Sequence, residues 1–166
     1  MDTEETQWLT ADEQQAWRSF INACQMLFGS VEAQLQHCAK IPHGYYEILV
    51  RLSEAPGRAM RMSQLAEVSF SSKSRLSHAV ARLEERGWIQ RVECATDRRG
   101  QIAQLTDEGF AALAAAAPSH VAQVRRSLID VLTPEQVGQL KEISDAIVAA
   151  GDPLAAQQQV SFLAAR

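Results

Sequence analysis

The strongest constraint in this sequence lies near its start. From Trp17 onward, apolar residues recur at Phe20, Ile21, Cys24, Leu27, Phe28, Val31 and Leu35, in steps of three and four throughout. An α-helix puts residues so spaced on one face. Thr10-Ala-Asp-Glu13 has capping-box spacing and sets the helix start. Pro42 disfavours helical backbone at Ile41, so the helix ends near Lys40. A second amphipathic run stands at the other end, where Thr133-Pro-Glu-Gln136 opens a helix with Val137, Leu140, Ile143 and Ile147 on one face and Gly151-Asp-Pro153 closing it. Trp17, Phe20, Leu27, Phe28, Val137, Leu140 and Ile147 exceed what a small central lobe can cover, which points to a second copy of the chain.

Between these helices the pattern is denser. His43 to Glu54 reads as a helix with Tyr45, Ile48, Leu49 and Leu52 inward, stopped by Ala55-Pro-Gly57. Ser63 caps a short helix over Gln64–Val68, and Ser69-Phe-Ser71 makes a turn. A third helix follows from Ser72 to Arg86, with Gly87 as its stop. Trp88–Glu93 and Gln101–Leu105 are short extended segments joined by the polar tip Thr96-Asp-Arg-Arg-Gly100. Thr106 caps a long helix to about Val131, interrupted or kinked at Pro118. The expected fold is mainly α with a small β-wing, and no linker or repeat divides residues 1–166.

Charge gives this middle its meaning. The chain of 166 residues has a formal net charge of −4, which taken alone argues mildly against nucleic acid. Of its 16 Lys/Arg, nine fall between Arg58 and Gln101, against only five of its 20 Asp/Glu. A basic centre between acidic ends is the layout of a local polyanion-binding face. Within the third helix, Leu76, Ala79, Val80 and Leu83 form the inward stripe. The opposite face carries Ser72, Lys73, Ser74, Arg75, Ser77, His78 and Arg82, with no acid before Glu84. Hydroxyls, amines and guanidinium groups on one helix face suit phosphates and base edges in a major groove. Arg98 and Arg99 at the hairpin tip stand within reach of a neighbouring backbone or minor groove.

These segments carry a resemblance. Arg61-Met-Ser-Gln-Leu-Ala66, Ser72-Lys-Ser-Arg-Leu-Ser-His78, Arg82-Leu-Glu-Glu-Arg-Gly87 and Asp97-Arg-Arg followed by Leu105-Thr-Asp-Glu-Gly109 resemble the MarR family of regulators, specifically over Ile48–Gly109 and more weakly over residues 10–150. The resemblance implies a homodimeric transcription regulator, a repressor by family default. Its winged helix-turn-helix lobe, about 43–106, would read a palindromic operator in double-stranded DNA. The helices at about 10–40 and 107–150 would dimerise, leaving 151–166 as a tail. By motif, Arg99 matches the wing arginine that enters the minor groove and Asp97 the acid that orients the tip. Lys73–His78 and Arg82 match the recognition-helix positions facing DNA; Ser77 and Ala81 are smaller than the residues many members carry there. A small aromatic or anionic effector is implied between the dimer helices and the lobe, drawing on Trp17, His43 and Tyr46.

Other readings fare worse. His37, Cys38 and His43 lie close in sequence but lack regular zinc-ligand spacing, so no metal or other cofactor is expected. Cys24 falls on the apolar stripe of the first helix; Cys94, beside the wing tip, is the better candidate for a redox-sensing regulator. An odd set of three cysteines, no apolar run near the roughly 18 residues of a membrane span, and the acidic start Met1-Asp-Thr-Glu-Glu together imply a cytoplasmic protein. No phosphate loop, nucleophile elbow or catalytic carboxylate spacing marks an enzyme. The main alternative is a winged-helix module that binds protein, which an acidic or apolar recognition face would favour.

Overall fold

The computed structural model describes residues 6–69, 71–94 and 97–151, and the side chains of 94 and 97–99 lie outside that description. The element order is α1 (Ala11–Cys38), α2 (His43–Glu54), β1 (Ala59–Arg61), α3 (Met62–Val68), α4 (Lys73–Glu85), β2 (Ile89–Cys94), β3 (Asp97–Leu105), α5 (Asp107–Ser127) and α6 (Pro134–Gly151). Among the described residues, six helices around a small antiparallel sheet make this a mainly α winged-helix fold, as the sequence implies.

Local chemistry starts the helices where the caps stand. Thr10 Oγ1 accepts from the Glu13 amide while Glu13 Oε2 accepts from the Thr10 amide, closing the capping box of α1. Thr133 and Gln136 exchange the same pair of bonds at α6. Ser72 caps α4, its hydroxyl accepting from the Arg75 amide at 3.3 Å. Each bond satisfies an orphan donor of a first helical turn.

The core lies between the C-terminal end of α1, helices α2 to α4, the sheet and the first half of α5. Leu35, Ile41, Leu49, Leu52, Leu65, Leu76, Val80 and Leu83 are its largest fully buried side chains. The first half of α1 and all of α6 contribute no buried residue. Trp17 and Phe28 are each 56 % exposed, Ile143 57 % and Ile147 53 %. Much of the apolar stripe of the first part of α1 and of the C-terminal part of α6 is therefore exposed.

Several boundaries differ from the sequence reading. The sheet has three strands in the order β1-β3-β2, the extra strand β1 pairing Ala59, Met60 and Arg61 with Gln104, Ala103 and Ile102. Helix α3 begins at Met62 after Arg61, with no side-chain cap, so Ser63 is inside the helix. Strand β3 starts at Asp97 rather than Gln101, and Cys94 faces Asp97 across the ladder after an irregularity at Glu93/Cys94. Of residues 97–100 only Asp97 is paired with β2, opposite Cys94, and 98–100 fall in the irregularity. Pro118 does not interrupt α5, whose run from Ala111 to Ala117 has the best helical propensity available. That helix closes at Ser127, and Ile129–Val131 form a separate 3-10 turn.

Candidate nucleic-acid interface and adjoining cleft

Helix α4 divides cleanly into two faces. Leu76, Val80 and Leu83 are buried, with Ala79 half-buried beside them. Ser72, Lys73, Ser74, Arg75, Ser77, His78 and Arg82 are all exposed. The first turn of α4 holds no acid, so the positive end of its dipole and the cations Lys73 and Arg75 act together on any nearby anion. Two of these residues are already engaged. The Ser72 hydroxyl serves the cap. Arg82 pairs with Glu85 at 2.8 Å, a contact that raises its pKa further, by hydrogen bonding first and charge second.

Across the sheet, Gln90 donates to Gln104 at 3.0 Å between β2 and β3. The backbone of Asp97, Arg98 and Arg99 belongs to β3. Their side chains, and that of Cys94, lie outside the described residues.

Beside α4 runs a cleft of about 730 Å³, walled by Leu27, Phe28 and Val31 of α1, residues of α2, the α3–α4 turn, and His120 and Val124 of α5. That volume suits a small organic molecule. Its polar groups include His43, Tyr45, Glu47, Arg51, Arg75 and His120. His43 is fixed at both ends: its amide donates to Glu32 at 2.7 Å, and its Nε2 lies 3.7 Å from Glu47. Bonds from Gln36 and from the His43 amide hold the Glu32 carboxyl below its ordinary pKa. The His120 ring stacks obliquely on Tyr46 at 4.4 Å and lies 6.2 Å from the His43 ring. Burial, and then the neighbouring His43, push the His120 pKa down. Burial, and then Glu47, push the Tyr46 phenol up. The buried Nδ1 of His120 has no hydrogen-bond partner among the described residues.

Of the three residues the sequence reading assigned to an effector, His43 lines this cleft, Tyr46 is buried behind it against His120, and Trp17 is exposed and is not part of the lining. His120, Arg51 and Phe28 were not singled out for it. His120 meets Tyr46 only through the packing of α5 on α2, and no local motif announces that contact. His37 and Cys38 are exposed, Cys24 is half-buried, and no group of three His, Cys, Asp or Glu among the described residues could hold a metal ion. No helix among them is long and apolar enough to cross a membrane.

Comparison with known proteins agrees with this architecture. Residues 41–100 match the model of the MarR family. The MarR-family regulator Sco3205 of Streptomyces coelicolor, solved in complex with DNA, is 49 % identical with a TM-score of 0.86, over 89 % of this chain and 92 % of that one. AbsC, a MarR-family regulator from the same organism, is 43 % identical with a TM-score of 0.83, over 87 % and 97 %. The transcriptional regulator PecS of Dickeya dadantii is 37 % identical over 76 residues, 46 % of this chain. The chain spans only 43 % of the length of PecS.

Proposed function

This chain belongs to the MarR family, and on that premise we propose that it is a homodimeric, sequence-specific DNA-binding transcriptional regulator, a repressor released from a palindromic operator by a small-molecule effector. The observation that carries the reading is the exposed face of α4, where Lys73, Ser74, Arg75, Ser77 and His78 stand together with no acid in the first turn. The complex of Sco3205 with DNA supports it by likeness. Helix α4 would enter the major groove, Arg82 would contact DNA on leaving Glu85, and Arg98 and Arg99 would serve the minor groove with Asp97 ordering the tip. A protein-binding module would use an acidic or apolar face, and α4 presents neither.

Residues 1–166 would act as one unit, with the lobe at about 43–106 and dimerisation through the helices at about 10–40 and 107–150. The exposed stripe of Trp17, Phe28, Ile143 and Ile147 supports the second copy. An interface of more than about 2,000 Å² is expected, the obligate range. The cleft is the proposed effector site. Its apolar walls suit an aromatic body, and Arg51, Arg75 and the two histidines suit an anionic group. Because Arg75 belongs to both the cleft and the α4 face, an occupant there would bear directly on DNA binding.

Two experiments test the reading. In a gel shift, the protein should retain DNA from the region upstream of its own gene in the presence of excess unrelated DNA. Sedimentation at micromolar concentration should show a dimer. Equal affinity for all DNA would remove the sequence-specific reading, and a stable folded monomer would remove the dimer.

A further inference from the structure

One side chain of the wing grips α4 at two levels. Arg91, on β2, is only 24 % exposed. Its amide donates to Glu84 Oε1 at 3.0 Å, and its Nε lies 3.1 Å from Glu84 Oε2. Its Nη2 donates to the backbone carbonyl of Ser77 at 2.8 Å. Ser77 and Glu84 are two helical turns apart on α4, roughly 10 Å along its axis at about 1.5 Å per residue. We infer that Arg91 is a positioning residue: by bridging Ser77 and Glu84 it holds α4 in a fixed rotation and height against the wing, so that the protein discriminates among DNA sequences.

The inference rests on the proposed reading of α4 as the DNA-reading helix. Apolar packing of Leu76, Val80 and Leu83 fixes which face of α4 points inward, but dispersion contacts are non-directional and tolerate small slides and rotations. Base recognition does not tolerate them, because a binding constellation must be held within about 0.5 Å of its productive geometry. Two hydrogen bonds of Arg91 are directional, its amide to Glu84 and its Nη2 to the Ser77 carbonyl, the second in the turn that also carries Ser74, Arg75 and His78. Its Nε meets Glu84 as an ion pair without hydrogen-bond geometry. A planar guanidinium can serve a carboxylate and a carbonyl at once from one strand position, whereas an ammonium is a single point charge that reaches one of them. The Arg91 charge is matched by Glu84, unlike the cations Lys73 and Arg75 of the first turn, which have no ion pair among the described residues. Replacement of Arg91 by lysine, which keeps the charge, should therefore disturb which DNA is preferred and leave general attraction to phosphate unchanged.

The test compares wild type, Arg91→Lys, Arg91→Gln and Glu84→Gln on the best-bound upstream fragment and on unrelated DNA, over a series of salt concentrations. Circular dichroism on each variant monitors folding. All three variants should lower the ratio of specific to unrelated affinity by roughly tenfold or more, about what one wrong base pair costs. In Arg91→Lys, which keeps the charge, affinity for unrelated DNA and the slope of log affinity against log salt should stay at the wild-type values. A ratio unchanged in every variant would overturn the positioning role. So would an equal weakening on both DNAs in Arg91→Gln, with a salt slope shallower by about one, since that behaviour marks a side chain bound to phosphate. If wild type itself shows no preference between the DNAs, the DNA-reading proposal fails and this role for Arg91 fails with it.

Discussion

The α-carbon of Gly109, in the first turn of α5, packs directly on the backbone carbonyl of Trp88, just past the turn that ends α4. Thr106 ties the same two segments: its Oγ1 donates to the Gly87 carbonyl at 2.7 Å, its amide donates to the Trp88 carbonyl at 3.0 Å, and its Oγ1 accepts from the Gly109 amide at 3.0 Å. This arrangement is the physical content of Leu105-Thr-Asp-Glu-Gly109. It joins the exit of α4 to the exit of the wing. A Cβ at position 109 would overlap the Trp88 carbonyl, which is backbone and cannot swing away. Gly109→Ala should destabilise the lobe by about 1–3 kcal/mol through overpacking. Gly44→Ala, helical and in open space, should instead raise the melting temperature by about 1–4 °C.

Leu83 is fully buried on the inner face of α4. Leu83→Ala should cost about 2–5 kcal/mol, the usual range for an emptied core position. A denaturant melt reads the loss. An unchanged midpoint would mean that the inward face of α4 is wrongly assigned.

The cleft sets a pH dependence of stability. His120 has a native pKa below the ordinary value of 6.5, chiefly through burial. The unfolded chain therefore takes up a proton at this site more readily than the folded one. Its contribution is fully present above about pH 6.5 and is lost as the pH falls through the depressed native value. The melting temperature should drop from pH 7 to pH 5, and the drop should be smaller in His120→Gln. The lowered pKa of Glu32 has the same sign and contributes to the fall that remains at lower pH.

Salt should weaken DNA binding steeply. With Lys73, Arg75, Arg82, Arg98 and Arg99 doubled by a dimer, about six to ten phosphate contacts imply a loss of roughly 10³–10⁵ in affinity between 50 and 200 mM salt. The pairing of Arg82 with Glu85 modulates this. Glu85→Gln should release Arg82 and tighten binding to unrelated DNA at low salt, whereas Lys73→Ala should weaken it. Fluorescence anisotropy over a salt series measures both.

Strong local signals were legible in the sequence. The Thr10–Glu13 and Thr133–Gln136 caps stand at the helix starts they imply, and α2 runs from His43 to Glu54 as the apolar spacing requires. The inner stripe of α4 also stands, because burial of Leu76, Val80 and Leu83 follows from helical period alone. What escaped depends on tertiary pairing. Strand β1 has three residues, of which only Met60 is buried, too few for an alternating pattern. Residues 97–100 carry turn-like polar chemistry, yet β3 begins at Asp97, which alone among them pairs with β2, opposite Cys94. The cleft was half legible: the family resemblance pointed to His43, whereas His120 stands 74 positions beyond Tyr46 and reaches it only once α5 packs on α2.

The central claim is that helix and wing read DNA in different ways, and one measurement tests it directly. Affinities of wild type, Arg75→Ala and Arg99→Ala are compared on the native upstream site and on a copy whose flanking A·T steps are replaced by G·C. A narrow A·T minor groove concentrates negative potential, so an arginine placed there senses groove width rather than a base code. Arg99→Ala should bind the native site more weakly by about 1–3 kcal/mol and lose most of the discrimination between the two DNAs. Arg75→Ala should keep that discrimination while changing preference at base pairs under α4. Binding of both DNAs by Arg99→Ala as tightly as by wild type would contradict the wing contact and favour the protein-binding alternative.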